Sequence, residues 1–388
     1  MKILHICVTG PYTDGFNYQE NMLTKYQVKE GHNVYVIASE WEWGKNGKVE
    51  KHSGNSEYVN EDGVSIIRLP IKGNHDVFYR YKKFVGIYEA IEKVNPDIVF
   101  IHNLQFFDIS KIAKYAKKHS VKVYADNHAD FSNSARSKMA VLFYKTVWRY
   151  MAHVIEPCVT KVYGVLPARV DFLKDIYKLP NEKCELLVMG ADDEEVERAG
   201  TLANQQRVRN ELGIAEDDFL IVTGGKIDEW KTQTLLLMEA INNIKRENVK
   251  LLIFGPVSDK IRDKFDVLLD KNKMRYVSWA NTQQSYDYFA IADLVVFPGR
   301  HSVYWEQVVG QGKPMICKYW EGTTHVDIGN NVYFLKSDQK SEIEEVILGF
   351  LDNPTQYSLM KSNAEKDDHE KFLYKKISQT AIGLGGEQ

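Results

Sequence analysis

Short aliphatic and β-branched runs, each closed by a turn residue, alternate along this chain with longer amphipathic stretches, and the alternation occurs twice. In the first half the runs are 3–8, 33–38, 98–102 and 122–125, with helical stretches such as 19–30 between them. Runs that are apolar throughout, rather than at every second position, mark parallel strands whose two faces are both covered by helices. A doubly wound α/β sheet follows. The rhythm breaks at 185–193, where strand-like Leu186-Leu187-Val188-Met189 ends in Gly190-Ala191-Asp192-Asp193 ahead of a highly charged helix. It restarts at 219–225, 251–255, 276–279 and 294–297. The chain therefore reads as two Rossmann-like domains, 1–188 and 189–370. The stretch 342–382 is helical in pattern apart from a break at Asn353-Pro354, and its end, within 371–388, is expected to cross back to the first domain. A length of 388 residues, at about 150 per domain, agrees with two domains rather than one. Ligands of such sheets bind outside the carboxyl ends of the strands, so a cleft between the two domains is the first place to look.

Composition narrows the partners. Apolar residues make up 44% and charged residues 27%, a balance that buries a core instead of leaving a disordered chain. Fifty Lys and Arg against 53 Asp and Glu leave a net charge of -3, so no global field recruits nucleic acid. Cys7, Cys158, Cys184 and Cys317 lie far apart with no C-x-x-C pair, which suits a reducing compartment, and a cytoplasmic location is expected. No stretch approaches the roughly 20 apolar residues that cross a bilayer.

The richest local signal is Thr223-Gly224-Gly225-Lys226-Ile227-Asp228-Glu229-Trp230-Lys231-Thr232, a strand running into glycines and then into a helix. A cation near a helix N-terminus opposes the macrodipole, so Lys226 and Lys231 make most sense with an anion between them, and a diphosphate would satisfy both. The alternative is a pair of solvated loop charges. The second signal is Pro298-Gly299-Arg300-His301-Ser302-Val303-Tyr304-Trp305-Glu306-Gln307, leading through Gly310 and Gly312 to Lys313-Pro314. Amides at Ser302 and Val303 would suit phosphate oxygens, and Glu306 or Gln307 a ribose. The plainer reading makes Ser302 a helix cap and Glu306 a solvated first-turn acid.

The order of these pieces resembles the GT-B glycosyltransferases, specifically the family 4 type ("glycosyl transferases group 1"). The resemblance spans nearly the whole chain. It runs from the loop Thr9-Gly10-Pro11 to Gly15-Phe16-Asn17, through Gly31-His32-Asn33, Asn95-Pro96-Asp97 and Met189-Gly190-Ala191-Asp192, to Gly225-Lys226, Lys231 and Ala292-Asp293-Leu294. It implies a nucleotide-binding second domain in which Lys226, where the family usually has arginine, and Lys231 neutralise the leaving nucleoside diphosphate. Gly225 and Gly255 belong to the same donor region. The family's Glu-x7-Glu motif is degraded here: Gln307 is the ungapped partner of the second glutamate, with Glu306 beside it, and the first has no counterpart. His301, Ser302 and Val303 are expected to replace the missing part.

The resemblance also implies that a histidine after the strand ending near Ala125 touches the transferred sugar. In Tyr124-Ala125-Asp126-Asn127-His128-Ala129-Asp130 that residue is His128, with Asp126 or Asp130 orienting its ring. A metal site made of Asp126, His128 and Asp130 is a competing reading, since strand alternation would place them on one face, although the family needs neither metal nor any cofactor besides its donor. The acceptor is expected at the first domain, near Gly15, Phe16, Asn17 and Glu20. Basic and aromatic residues in 79–84 and in the amphipathic stretch 136–151 would suit the inner face of a membrane carrying a lipid-linked acceptor, although a helix with its apolar face in the core and its basic face in water is the favoured alternative. The expected activity is retaining transfer of a hexosyl unit from a UDP-linked donor to a glycan or lipid-linked saccharide in cell-surface polysaccharide synthesis. Alternatives are a nucleotide-sugar 2-epimerase of the same fold and a catalytically silent GT-B partner.

Overall fold

A computed structural model describes residues 1–44, 46–72 and 83–385. The chain divides into two compact units, Met1–Val188 together with Tyr374–Gln388, and Met189–Leu373. Of the basic aromatic stretch 79–84, Tyr79, Arg80, Tyr81 and Lys82 lie outside the described residues.

The first unit is built on β1 (Lys2–Cys7), β2 (Asn33–Ser39), the antiparallel pair β3 (Trp41–Trp43) and β4 (Val49–Lys51), β5 (Glu57–Val59), β6 (Ser65–Leu69), β7 (Ile98–His102), β8 (Lys122–Asn127), β9 (Val159–Gly164) and β10 (Cys184–Leu186). Eight of these form one sheet in the order β10-β9-β8-β7-β1-β2-β6-β5, parallel except for the β5–β6 pair. Strand order reverses at β1, so the crevice of this sheet opens beyond the carboxyl ends of β1 and β7. The apolar runs bury completely, with Ile3, Leu4, Ile6, Val99, Phe100 and Ile101 all at 0% exposure.

The stretch 136–151 is not one regular helix. It forms Lys138–Phe143, a π-helical segment Tyr144–Trp148, and Arg149–Ile155. Trp148 is buried there, while Met139, Leu142, Phe143 and Tyr150 stay exposed. The helix Tyr374–Ala381 packs on the helix Gln19–Lys29 and adds Tyr374, Ile377 and Ala381 to a cluster with Met22, Leu23 and Tyr26.

The second unit holds β11 (Phe219–Gly224), β12 (Val249–Phe254), β13 (Met274–Val277), β14 (Leu294–Phe297), β15 (Met315–Lys318) and β16 (Val332–Leu335). They make a wholly parallel sheet in the order β13-β12-β11-β14-β15-β16. Its reversal lies at β11, and its crevice opens beyond β11 and β14. The run read as a strand to Trp279 stops at Val277, and Trp279 is largely exposed. The break at Asn353-Pro354 separates the helices Lys340–Asp352 and Pro354–Ala364, and Asn353 caps the second by accepting from the Gln356 amide. The pre-proline residue disfavours helical backbone, which explains why the break falls there.

Candidate active site

At the β11/β14 crevice the chain forms a pocket with about 370 Å³ of empty space, part of it open to solvent. Its walls come from Thr223, Gly224 and Gly225 at the end of β11, from Lys226 and Lys231, and from Pro298, Gly299, Arg300 and Ser302 after β14. The glycines are required by packing. Gly225 and Gly255 have φ of +115° and +122°, a region that L side chains rarely adopt, and a Cβ on Gly255 would sit 2.2 Å from the Gly225 carbonyl oxygen. Gly255 therefore does not line the pocket; it lets the turn after β12 lie against the turn that does. The loop between is fixed from the same side, because the Ile227 amide donates to the Pro256 carbonyl and the Ser258 amide to the Ile227 carbonyl.

Three cations meet at this pocket. Burial lowers the Lys231 ammonium from its ordinary value, and Lys226 and Arg300 add to that, while Asp228 alone opposes it. Asp228 pairs with Lys226 at 3.3 Å and spends its other carboxylate oxygen on the Trp230 amide, closing the turn. Arg300, absent from the expected site, lies 5.7 Å from the Trp230 ring centroid. The helix that follows, Gln233–Asn243, has no side-chain cap at Thr232. The amides of Thr234 and Leu235 donate to the Lys231 and Thr232 carbonyls, so it is the unbalanced positive charge at this strand-to-helix turn that makes the arrangement suited to an anion.

Glu306 behaves unlike a solvated first-turn acid. It sits in the helix Tyr304–Gly310 with 0% exposure, and one oxygen, Oε1, lies 2.8 Å from His301 Nε2 and 2.9 Å from His325 Nε2. Burial works against its ionisation, but the charges and hydrogen bonds of the two imidazoles hold its carboxyl well below the usual range. Its other oxygen, Oε2, is buried with no hydrogen-bond partner among the described residues, and Glu306 is not one of the residues that line the pocket. Gln307 is also buried and donates to Ser285 Oγ at 3.2 Å. Ser302 reaches the pocket wall, whereas His301 turns to Glu306 and Val303 is exposed. Among the described residues His301, Glu306 and His325 are the one group spaced to hold a metal, their ligand atoms lying within 4.8 Å of one another.

The first unit builds a different site at its own reversal. His102 ends β7 and is the register partner of Asp126 on β8, and its Nδ1 lies 2.8 Å from Asp126 Oδ2. The same carboxylate oxygen lies 3.4 Å from His128 Nε2. His128 is a quarter exposed and held by its backbone, its amide donating to Asn103 Oδ1 and its carbonyl accepting from Asn133 Nδ2. Asp126, not Asp130, is therefore the carboxylate beside the His128 ring. Asp130 instead accepts from Ser132 and from Arg169 Nε, so Asp126, His128 and Asp130 do not converge as a metal site. The physical reason is that β8 ends at Asn127, so strand alternation does not extend to Asp130.

The loop after β1 carries Gly15 with φ of +71°, Phe16 edge-on to Tyr18 at 5.2 Å, Asn17 exposed, and Glu20 in the first turn of Gln19–Lys29. The same helix start holds Gln19, 3% exposed, and neither of its polar side-chain atoms has a partner among the described residues. His102, Gln19 and Arg300 are not among the site residues expected from the sequence. A polar residue interrupting an otherwise apolar strand, as His102 does, was the available signal.

Two sequence families account for most of the chain. The Glycosyltransferase Family 4 profile matches residues 21–195, and the glycosyl transferases group 1 profile matches residues 204–367. The chain is a GT-B glycosyltransferase of the family 4 type. No curated protein sequence matches it. Among solved structures it is similar to HepE from Anabaena, in complex with UDP, at 13% identity over 98% of each chain with a TM-score of 0.67. WaaG, a glycosyltransferase involved in lipopolysaccharide biosynthesis, is similar at 15% identity over 99% of this chain and 100% of that one, TM-score 0.61. UDP-GlcNAc 2-epimerase from Neisseria meningitidis, bound to UDP-GlcNAc, is similar at 11% identity over 99% of each chain, TM-score 0.63. At these identities the three structures establish the shared fold of this glycosyltransferase.

Proposed function

We propose that this glycosyltransferase moves a hexosyl unit from a UDP-linked donor to a hydroxyl of a glycan or lipid-linked saccharide, with retention and without a metal or further cofactor, in cell-surface polysaccharide synthesis. The observation that carries the reading is the pocket at the β11/β14 reversal, where Lys226, Lys231 and Arg300 meet with Asp228 as counterion. A leaving nucleoside diphosphate supplies the missing negative charge. As the bond from the anomeric carbon to the diphosphate breaks and the bond to the acceptor oxygen forms, charge grows on the leaving phosphate oxygen, which takes up the proton released by the acceptor hydroxyl. Cations fixed in advance stabilise that charge more than they stabilise the intact donor. In this reading the second unit binds the donor and the first the acceptor, His128 contacts the transferred sugar, and Gly15, Phe16, Asn17 and Glu20 border the acceptor. That HepE was solved with UDP supports the choice of nucleotide.

A cytoplasmic enzyme with a lipid-linked acceptor works at a membrane surface, and the exposed Met139, Leu142 and Phe143 beside Lys138 and Lys145 suit that contact. The likeness to a UDP-GlcNAc 2-epimerase favours one second reading, conversion of the donor without any acceptor. A thermal-shift series of nucleoside diphosphates, followed by product analysis with donor alone and with a saccharide acceptor, tests both. A UDP-stabilised protein that makes a new glycoside supports transfer. An epimeric nucleotide sugar from donor alone supports the second reading, and no response to any nucleotide removes both.

A further inference from the structure

The β1/β7 reversal contains a buried polar chain that substrate contact at His128 does not by itself explain. Gln27 Oε1 lies 2.7 Å from His5 Nε2, His5 Nδ1 lies 3.0 Å from His102 Nε2, and His102 Nδ1 lies 2.8 Å from Asp126 Oδ2. His5 is 0% exposed, His102 4% and Asp126 0%. Gln27 is oriented by its own second contact, since its Nε2 donates to the Ser378 carbonyl at 3.4 Å, which leaves Oε1 as the atom facing His5.

These contacts permit one proton inventory. His5 Nε2 faces an amide oxygen and His102 Nδ1 faces a carboxylate, so each carries a hydrogen. The buried Nδ1···Nε2 contact between the rings needs one proton, because none would oppose two lone pairs and two would oppose two N–H groups. Four nitrogens therefore hold three protons, and the two imidazoles together carry one positive charge. It belongs on His102, which touches the carboxylate, and not on His5, which touches an amide. Asp126 in turn stays ionised: besides His102 it accepts the Asn103 amide at 2.9 Å, and His128 stands beside it.

We propose that His102 is a positioning residue of the transfer site, held doubly protonated between His5 and Asp126, so that Asp126 remains an anion and keeps the His128 proton on Nε2, leaving the Nδ1 lone pair to accept a hydroxyl hydrogen of the transferred sugar. The proposal rests on the reading of His128 as the sugar contact. It adds what that contact recognises, a hydroxyl donor, and names the groups that set it. The titratable groups facing His102 are His5 and Cys7 from β1 and Asp126 from β8, with Glu20 of the helix Gln19–Lys29 acting on Cys7. Burial pushes the Cys7 thiol up, so it stays uncharged. Burial, followed by the neighbouring His102, lowers His5 to about 3, in keeping with a neutral ring. Burial acts against a charge on His102, yet its imidazole is raised well above its ordinary value; with the Cys7 thiol uncharged, the charge and the hydrogen bond of Asp126 are what hold the proton there.

The test is nitrogen-resolved NMR of the full chain labelled at its eleven histidines, assigned by single substitutions, from pH 6 to 8. The expected wild-type result is a His102 ring with both nitrogens protonated throughout, and a His128 ring that, when neutral, carries its proton on Nε2. A neutral His102 at pH 7 overturns the proposal without any variant having to fold. In His102→Asn and Asp126→Asn, His128 is expected to lose its single tautomer. An unchanged His128 tautomer in a folded His102→Asn protein also overturns it. In transfer assays the same His102→Asn protein should lose about 10- to 100-fold in kcat, the usual scale for partners that orient a functional histidine, with donor KM within about threefold. Normal turnover by His128→Ala would instead remove the sugar-contact reading underneath, an outcome that the NMR result keeps separate.

Discussion

The carboxyl ends of β1 and β7 and those of β11 and β14 are equivalent places in two related sheets, yet their charges are arranged in opposite ways. Around β7 the polar groups answer one another: Gln27, His5, His102 and Asp126 form an unbroken chain of partners. Around β11 they do not, and Lys226, Lys231 and Arg300 meet with Asp228 as the opposing charge at Lys231. A buried network that is satisfied from within holds a geometry, whereas an excess of one sign at a pocket creates a demand for a ligand. The second sheet also has a partly closed arrangement beside its open one: Glu306 Oε1 faces His301 and His325, while Glu306 Oε2 and His325 Nδ1 are buried without a partner among the described residues. How far the polar groups satisfy one another is therefore a property of each site, not of one unit.

The comparison is tested most severely at Glu306, whose Oε1 is paired with two histidines and whose Oε2 is not paired. Glu306→Gln removes the buried anion that faces two histidines and is expected to cost about 3–5 kcal/mol, read as a lower urea midpoint for the unfolding step of the second unit. A change below about 1 kcal/mol would show that the cluster stores no such energy.

Lys231→Ala tests the open side. Turnover should fall about 100- to 1,000-fold with the fold intact, and transfer near the wild-type rate would take Lys231 out of the mechanism. The demand for an anion is measured directly by UDP, which at about 100 times its Kd should stabilise the wild type by about 2.7 kcal/mol, against much less for Lys231→Ala or Arg300→Ala at the same concentration.

Acid acts on the buried carboxylates of both sheets. Asp126 and Glu306 have folded values held below their ordinary 3.8 and 4.5, so the stability they contribute is complete above those ordinary values and is lost as the pH falls toward the folded ones. His102 has the opposite sign: its folded value is raised, so its contribution is full below 6.5 and is lost as the pH rises through that folded value. Urea midpoints should therefore drop below about pH 4.5, and Glu306→Gln should flatten that drop. The smallest expected effect is at the surface. Replacing Leu142 and Phe143 with Glu should weaken cosedimentation with anionic vesicles about tenfold while leaving transfer to a soluble acceptor intact.

The strands lining both reversals could be read from the sequence because parallel, doubly covered strands leave unbroken apolar runs such as 98–101 and Leu294–Phe297. The paired lysines could be read because Gly224-Gly225 marks the turn that brings them together. The triad of Glu306 could not, since His325 comes from a short helical turn, Thr324–Val326, whose approach depends on how the segment after β15 folds back. Gly310 helps to set that packing: a Cβ there would lie 2.8 Å from Ala191 Cβ and from the Phe372 carbonyl. The π-helical segment at Tyr144–Trp148 left no trace either, because its residue pattern also fits an ordinary helix. The expected Asp130 contact failed for a simpler reason, the end of β8 at Asn127.

The helix Tyr374–Ala381 belongs to the first unit although the whole second unit is synthesised before it. During translation, then, Met22, Leu23 and Tyr26 wait without their cover, and Gln27 waits without the Ser378 carbonyl that orients it. Chain order thus imposes a schedule: the half of the protein made first is the last to be finished.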